Sequence, residues 1–452
     1  MGNIASTILL ACLIPYNVIA LVTNFITSVI VKYTGMVLGV PSNIPLEAED
    51  FIKHLCLWLN TCITPWGNTP KSLTHQVDNE DILIGFSCRS LFETSLNVLK
   101  DSEHLKSTSK PGKGEKKGQS LKILATPIHH KSYVEIMERI GTSIDILSLD
   151  ESMRRIVIDK KSEEKIKNCD VIVVTHLFGK SFDLSELIEL KNRYNKLLIV
   201  DGVMGGCRLD THNTIGIDLD IYSTGQDKRP VAVGGGYCII RHNAFAQMEQ
   251  RTLSYRLVGR LERLKKILNT FMLRVLYQHR PLHVVGLFIM KVFNVKLSSV
   301  TGSVRKANPG FDHDNYLLCP NESMVQSVKL ELPNIQQMED KYTACWRRYL
   351  SMLPDDVRET FYPYYNSDEI VILPYNQILM PTGLDNEFLE FCDKHMIGCL
   401  GNQNYKALKS ASNHYHQFNG RIMNFVTVIR PLDEIKHVTE KVTEFHRQKC
   451  QN

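Results

Sequence analysis

Two patterns of apolar and polar positions divide the chain. From Met1 to Val31 no side chain is charged, and the apolar run ILLACLIPYNVIALVTNFITSVIV ends only at Lys32. Past a linker near Gly39–Pro45, short apolar runs alternate with amphipathic stretches. The runs predict strands at Asp81–Ser87, Leu121–Ile128, Ser143–Leu149, Asp170–His176, Leu197–Asp201, Leu219–Ser223 and Gly236–Arg241. Apolar positions at helical spacing predict helices at Ser90–Lys100, Lys131–Ile140 and Leu184–Tyr194. Such alternation implies an α/β fold with a mostly parallel sheet covered on both faces.

A second, smaller α/β unit starts near Lys329. Its predicted elements are a helix at Gln336–Leu353, a strand at Glu369–Leu373, a helix at Asn386–His395, a strand at Arg421–Ile429 and a final helix at Asp433–Gln448. The expected division is therefore a hydrophobic segment over 1–40, a large domain over 41–328 and a small domain over 329–452. The Gly/Lys-rich stretch at 107–120 reads as a surface insertion.

The apolar N-terminus is long enough to cross a hydrocarbon core, which needs about 20 apolar residues. No basic stretch precedes it and no small-x-small site follows, so a secretory signal is not expected. Pro15 and Asn17 interrupt a straight span, which leaves a kinked, in-plane or re-entrant helix as the alternative, with a buried core helix as a third reading. MGNIAS also matches an acylation pattern at Gly2. Residues 251–300 add a second membrane signal: between Arg251 and Lys296 ten Lys or Arg face one acid, Glu262, within a Leu-, Val-, Ile- and Phe-rich stretch. Membrane lipids are thus expected partners.

Composition narrows the rest. At 452 residues, 43% hydrophobic and 22% charged, the chain can bury a large core. The net charge of +5 is concentrated in the basic stretch, and no zinc spacing or RNA-binding signature accompanies it, so nucleic acid is not an expected partner. Twelve cysteines without paired or CxxC spacing point to reduced thiols and a cytosol-facing catalytic domain, against the single sequon at Asn321.

Candidate chemistry gathers where ligands bind in such sheets, at the carboxyl ends of strands. Ser87 ends one apolar run, Asp201 ends LLIVD and Ser223 ends IDLDIYS; Lys228 lies just beyond, in STGQDKRPVAVGGGY. An enzyme using pyridoxal phosphate needs a lysine for the aldehyde, an acid for the pyridine nitrogen, donors for the phosphate and a flat side chain against the ring. Lys228, Asp201, Ser223 and the Ser87-Cys88-Arg89-Ser90 turn could supply the first three. Each has a bland alternative: a solvated loop lysine, a strand-end cap, a turn serine.

The stretch THLFGKSFDLSELIELKNRYNKLLIVDG, the Asp201–Ser223–Lys228 spacing and the Gly235-Gly236 pair resemble the DegT-type nucleotide-sugar aminotransferases of pyridoxal phosphate fold type I. The resemblance is clearest over 80–100 and 120–241. It implies Lys228 as the lysine that carries the cofactor and shuttles the proton, and Asp201 opposite the pyridine nitrogen. Ser223, with Ser87 and the Cys88 and Arg89 backbone, would hold the phosphate. The ring-stacking position falls on His130, with His129 and Lys131 adjacent, and His176 reads as structural. The lysine argues against the family's dehydratase branch, which has histidine there. By the same resemblance the protein is a homodimer that moves an amino group from a glutamate-like amino acid to a keto sugar or related carbonyl.

Three positions depart from the family. Met204 stands where Gln or His is usual, Gly234 where glutamate is usual, and Cys88 where glycine is usual. Met204 and Gly234 favour a second reading, a catalytically degenerate membrane scaffold, which the intact Lys228–Asp201 pair disfavours. A third keeps the cofactor but condenses an acyl-CoA with an amino acid.

Overall fold

The computed structural model describes residues 48–63, 68–77, 80–102, 121–141, 143–177, 181–204, 215–225, 228, 232–278, 315–363, 376–395, 397, 399–401, 405–425 and 432–450. In chain order the first strands are β1 (Thr74–Val77), β2 (Glu80–Gly85), β3 (Lys122–Ala125), β4 (Ile128–His130), β5 (Ser143–Ile146), β6 (Val171–Thr175), β7 (Leu197–Asp201), β8 (Leu219–Ser223) and β9 (Gly236–Ile240). All but β4 join one sheet ordered β1-β2-β9-β8-β7-β6-β3-β5. The strands β8, β7, β6, β3 and β5 run parallel, whereas β9 is antiparallel to both of its neighbours. Every strand predicted for the large domain is present here, most of them one to three residues shorter.

The two-residue period of a strand decides which core each residue joins. Ile123, Val171, Val173, Leu197 and Ile199 face one cluster with α2 (Cys88–Asp101) and α3 (Lys131–Ile140), while α1 (Ala48–Ile63) belongs to a separate cluster in which Phe51 meets Val233 and Ile267. Their neighbours Leu124, Ile172, Val174, Leu198 and Val200 face the other cluster, with Ile166 of α4 (Lys160–Asn168) and Leu187 and Leu190 of α5 (Ser185–Arg193). Fully burying each such side chain contributes about 1.5–3 kcal/mol. A buried ion pair, Lys191 Nζ to Asp218 at 2.8 Å, ties α5 to the start of β8, and Asp218 also accepts from the Leu198 amide at 2.7 Å.

After β9 come α6 (Met248–Leu253), β10 (Arg256–Leu257), α7 (Arg260–Gln278), β11 (Leu318–Cys319), α8 (Glu322–Glu331), α9 (Ile335–Ser351) and α10 (Asp355–Phe361). The C-terminal elements are β12 (Asn376–Leu379), α11 (Asp385–Lys394), β13 (Cys399–Gly401), β14 (Tyr405–Ala407), α12 (Asn413–Gly420), β15 (Ile422–Phe425) and α13 (Leu432–Lys449). An antiparallel sheet, β12-β15-β13, carries Ile378, Met423 and Phe425 into the same cluster as Trp346, Phe388 and Phe445. The strand expected at Glu369–Leu373 lies outside the described residues, as does the apolar stretch 1–31. Among the described residues no helix is long and apolar enough to cross a membrane.

Candidate active site

The site is built at the carboxyl end of the parallel strands, against the start of α2. Ser87 is extended at φ −164° and caps α2: its Oγ accepts from the Ser90 amide at 3.1 Å, while Ser90 Oγ accepts from the Ser87 amide at 3.0 Å. That reciprocal cap holds the helix entry rigid and leaves Cys88 and Arg89 at the head of a 14-residue helix, where amides and dipole favour an anion. Gly236, the first residue of β9, passes so close that a Cβ there would sit 2.6 Å from the Cys88 nitrogen and 2.8 Å from the Tyr222 oxygen. Only glycine fits this approach.

Asp201, the last residue of β7, is 3% exposed. Its Oδ1 accepts from the Val203 amide at 3.1 Å, and the Thr175 hydroxyl lies 3.4 Å from Oδ2. Burial pushes the carboxyl up to about 7, against the Val203 N–H, the Lys228 charge and Thr175, which favour ionisation. Thr175 Oγ1 also sits 2.5 Å from His129 Nδ1, and His129 Nε2 is 2.7 Å from the Thr126 carbonyl. A carbonyl only accepts, so Nε2 carries the ring hydrogen and Nδ1 is an acceptor. The one Thr175 hydrogen is therefore shared between His129 and Asp201. Burial holds His129 down at about 4, so the imidazole is neutral.

The Lys228 amide donates to the Gly225 carbonyl at 3.0 Å, and its Nζ comes 3.8 Å from the Met204 sulfur. The Cys88 thiol lies among all of these groups: burial is the main cause of its raised pKa, the Asp201 charge adds to it, and Arg89, Lys228 and Ser223 oppose it. Tyr133 closes the wall, stacked on Phe92 with its hydroxyl donating to the Cys88 carbonyl at 3.3 Å.

The structure thus brings Ser87, Cys88, Arg89, Asp201, Ser223 and Lys228 together. His130 occupies a different role from its neighbour: its Nδ1 caps α3 through the Ser132 amide at 3.2 Å, and its ring meets Tyr405 edge-on at 6.2 Å. His129 is the histidine joined to Asp201 through Thr175. His176 holds the loop after β6, accepting from the Phe182 amide at 3.1 Å. Sequence reasoning passed over Thr175 and Tyr133. Thr175 ends a strand in the same way as Asp201 and Ser223, and that was the available signal.

No protein-family profile matches the chain, and no curated protein matches it in sequence. Solved structures do match it in shape. The Helicobacter pylori aminotransferase PseC, involved in the biosynthesis of pseudoaminic acid, superposes with a TM-score of 0.56 at 12% identity, over 91% of this chain and 100% of its own. The chain has the fold of the sugar aminotransferases. NtdA from Bacillus subtilis, solved with bound cofactor PMP, gives 0.57 at 11% identity over 89% of this chain and 85% of its own. The sugar aminotransferase CalS13 from Micromonospora echinospora gives 0.53 at 13%, over 89% and 98%. In each case the match runs over about nine tenths of this chain.

Proposed function

We propose that the chain is an aminotransferase that binds pyridoxal phosphate and transfers an amino group from a glutamate-like amino acid to a keto sugar or related carbonyl. The observation that carries this reading is the convergence on Cys88 of one lysine, one buried carboxyl, one serine and a capped helix head. The residues fit the cofactor. Asp201 is a buried carboxyl whose ionisation a cationic ring nitrogen would favour, and Gly236 lets β9 press its backbone against the capped head of α2, whose amides suit a phosphate. Bound there, the cofactor supplies an electron sink for the carbanion chemistry of amino transfer. Lys228 holds the aldehyde end and moves the proton at the substrate carbon. Asp201 keeps the pyridine nitrogen protonated, Thr175 and His129 orient Asp201, and Ser223 with the α2 head binds the phosphate. His130, at the start of α3, is the ring-facing candidate. The small domain is taken as 329–452 and the working unit as a homodimer.

The same reading includes membrane association with a cytosol-facing catalytic domain. It is supported by α7, where Leu261 (79% exposed), Lys265 and Leu268 stand outward in the basic stretch, and by the described cysteines, which are all free. A second reading, a scaffold without activity, is favoured by the buried Met204 sulfur beside Lys228. The visible absorption spectrum of detergent-purified protein decides between them. The aminotransferase reading expects a band that borohydride bleaches and that Lys228→Ala lacks. A protein that stays colourless after added pyridoxal phosphate would sink it.

A further inference from the structure

The helix α7 does more than cover a surface. Its Arg263 is fully buried and donates to the Val233 carbonyl at 2.6 Å, the Ala232 carbonyl at 3.2 Å and Ser327 Oγ at 2.9 Å. Those bonds pin Val233 in the left-handed region at φ 57°, a conformation a β-branched residue adopts only when its surroundings impose it. The next residue, Gly234, has φ +108°, and the space its Cβ would fill is taken by Lys266, whose Nζ would lie 2.4 Å from that Cβ. The same ammonium sits 5.1 Å above the Phe86 ring.

Phe86 precedes Ser87, and Gly234 precedes Gly235, the bridge partner of Ser87. The Lys266 ammonium therefore lies beside the head of α2 on both flanking chain segments. Among the described residues no carboxylate or carbonyl accepts a hydrogen bond from it, while Arg263 and Arg89 add like charge. The Glu262 charge opposes them from a distance, while its carboxylate accepts from the Gly259 amide at 3.3 Å and faces Arg256 at 3.5 Å. A half-buried ammonium with cationic neighbours is costly unless an anion joins it.

We propose that Lys266 is a phosphate-binding residue of the site: α7 turns back onto the glycine strand, made smooth at Gly234, to place a cation where the cradle's anion sits. This rests on the cofactor reading above, and the phosphate could belong to pyridoxal phosphate or to a phosphorylated substrate. A compact ammonium suits it as a point charge on phosphate oxygens.

The test measures binding, not turnover. Pyridoxal phosphate, pyridoxal, inorganic phosphate and a nucleoside diphosphate are titrated into the wild type, Lys266→Met and Lys266→Arg, each checked for an unchanged circular dichroism melt. The expected result is a loss of roughly tenfold or more in pyridoxal phosphate affinity for Lys266→Met, with pyridoxal within about twofold and Lys266→Arg largely restored. If only binding of inorganic phosphate and a nucleoside diphosphate weakens, the residue holds the substrate's phosphate and the proposal stands with that source. If the wild type binds no pyridoxal phosphate, the cofactor reading fails, and inorganic phosphate alone still judges Lys266. Equal phosphate and cofactor affinities in wild type and Lys266→Met overturn the proposal.

Discussion

Asp201 shows how one residue can cost stability in order to serve a site. Its folded pKa of about 7 lies above the ordinary carboxyl value, so between those two pH values the folded protein keeps a proton that the unfolded chain releases. Stability of the cofactor-free protein therefore falls as pH rises through that window, and the full cost is reached above about pH 7. Asp201→Asn keeps the shape without the charge. It should stabilise the cofactor-free protein by roughly 2–4 kcal/mol at pH 8 and by much less at pH 4.5, while weakening pyridoxal phosphate about tenfold or more. Urea unfolding at the two pH values, beside a cofactor titration, checks both halves; an equal gain at both pH values would show that the carboxyl carries no such strain. At this scale the sequence was informative where chemistry sits in one contiguous stretch. Asp201, Ser223 and Lys228 lie at or just past successive strand ends, and the Ser87 turn shows its cap in four letters. Thr175, His129, Tyr133 and Lys266 reach the site from other strands and helices, and linear spacing says nothing about which of them arrive.

Among the elements, the approach of β9 to α2 sets the tolerance of the site. A Cβ on Gly236 would meet three backbone atoms, the Cys88 nitrogen, the Tyr222 oxygen and the Ser87 carbonyl carbon, and none can swing away as a side-chain tip could. Gly236→Ala should cost about 1–3 kcal/mol and lower cofactor retention together with stability. Gly420→Ala is the control: nothing lies within 4 Å of a Cβ there and its φ is not positive, so in α12 it should be neutral or stabilise by about 0.5–1 kcal/mol. Thermal melts of both, with bound cofactor quantified by absorbance, test this; a harmless Gly236→Ala would mean that the cradle is not set by that contact. The legible elements carry clear patterns: β6 and β7 are unbroken apolar runs, and α3, α9 and α13 repeat apolar residues at helical spacing. The helix α4, KKSEEKIKN, was not: its fully buried positions are only Ser162 and Ile166, so it shows no apolar stripe. The β14–β4 pair was also hidden, since three-residue strands carry no period and pair across the whole chain.

For the whole molecule, the question is where the excess positive charge points. Arg263 and Lys266 turn inward to the glycine strand, while Leu261, Lys265 and Leu268 of the same helix turn outward. A single helix thus couples the site to a basic, apolar surface, and the two faces are separable by experiment. An outward basic face attracts anionic lipid through charge and is screened once the Debye length drops to about 3 Å at 1 M salt. An apolar anchor such as 1–31 would hold equally at any salt. The full chain should therefore float with vesicles containing phosphatidylserine more than with phosphatidylcholine vesicles, and the difference should vanish in 1 M salt. Leu261→Glu with Leu268→Glu should abolish the same difference while leaving the borohydride-sensitive band intact, because neither leucine is among the groups at the cradle. Equal flotation with both vesicle types at low salt would remove α7 from the membrane contact and leave the N-terminal stretch as its sole proposed source.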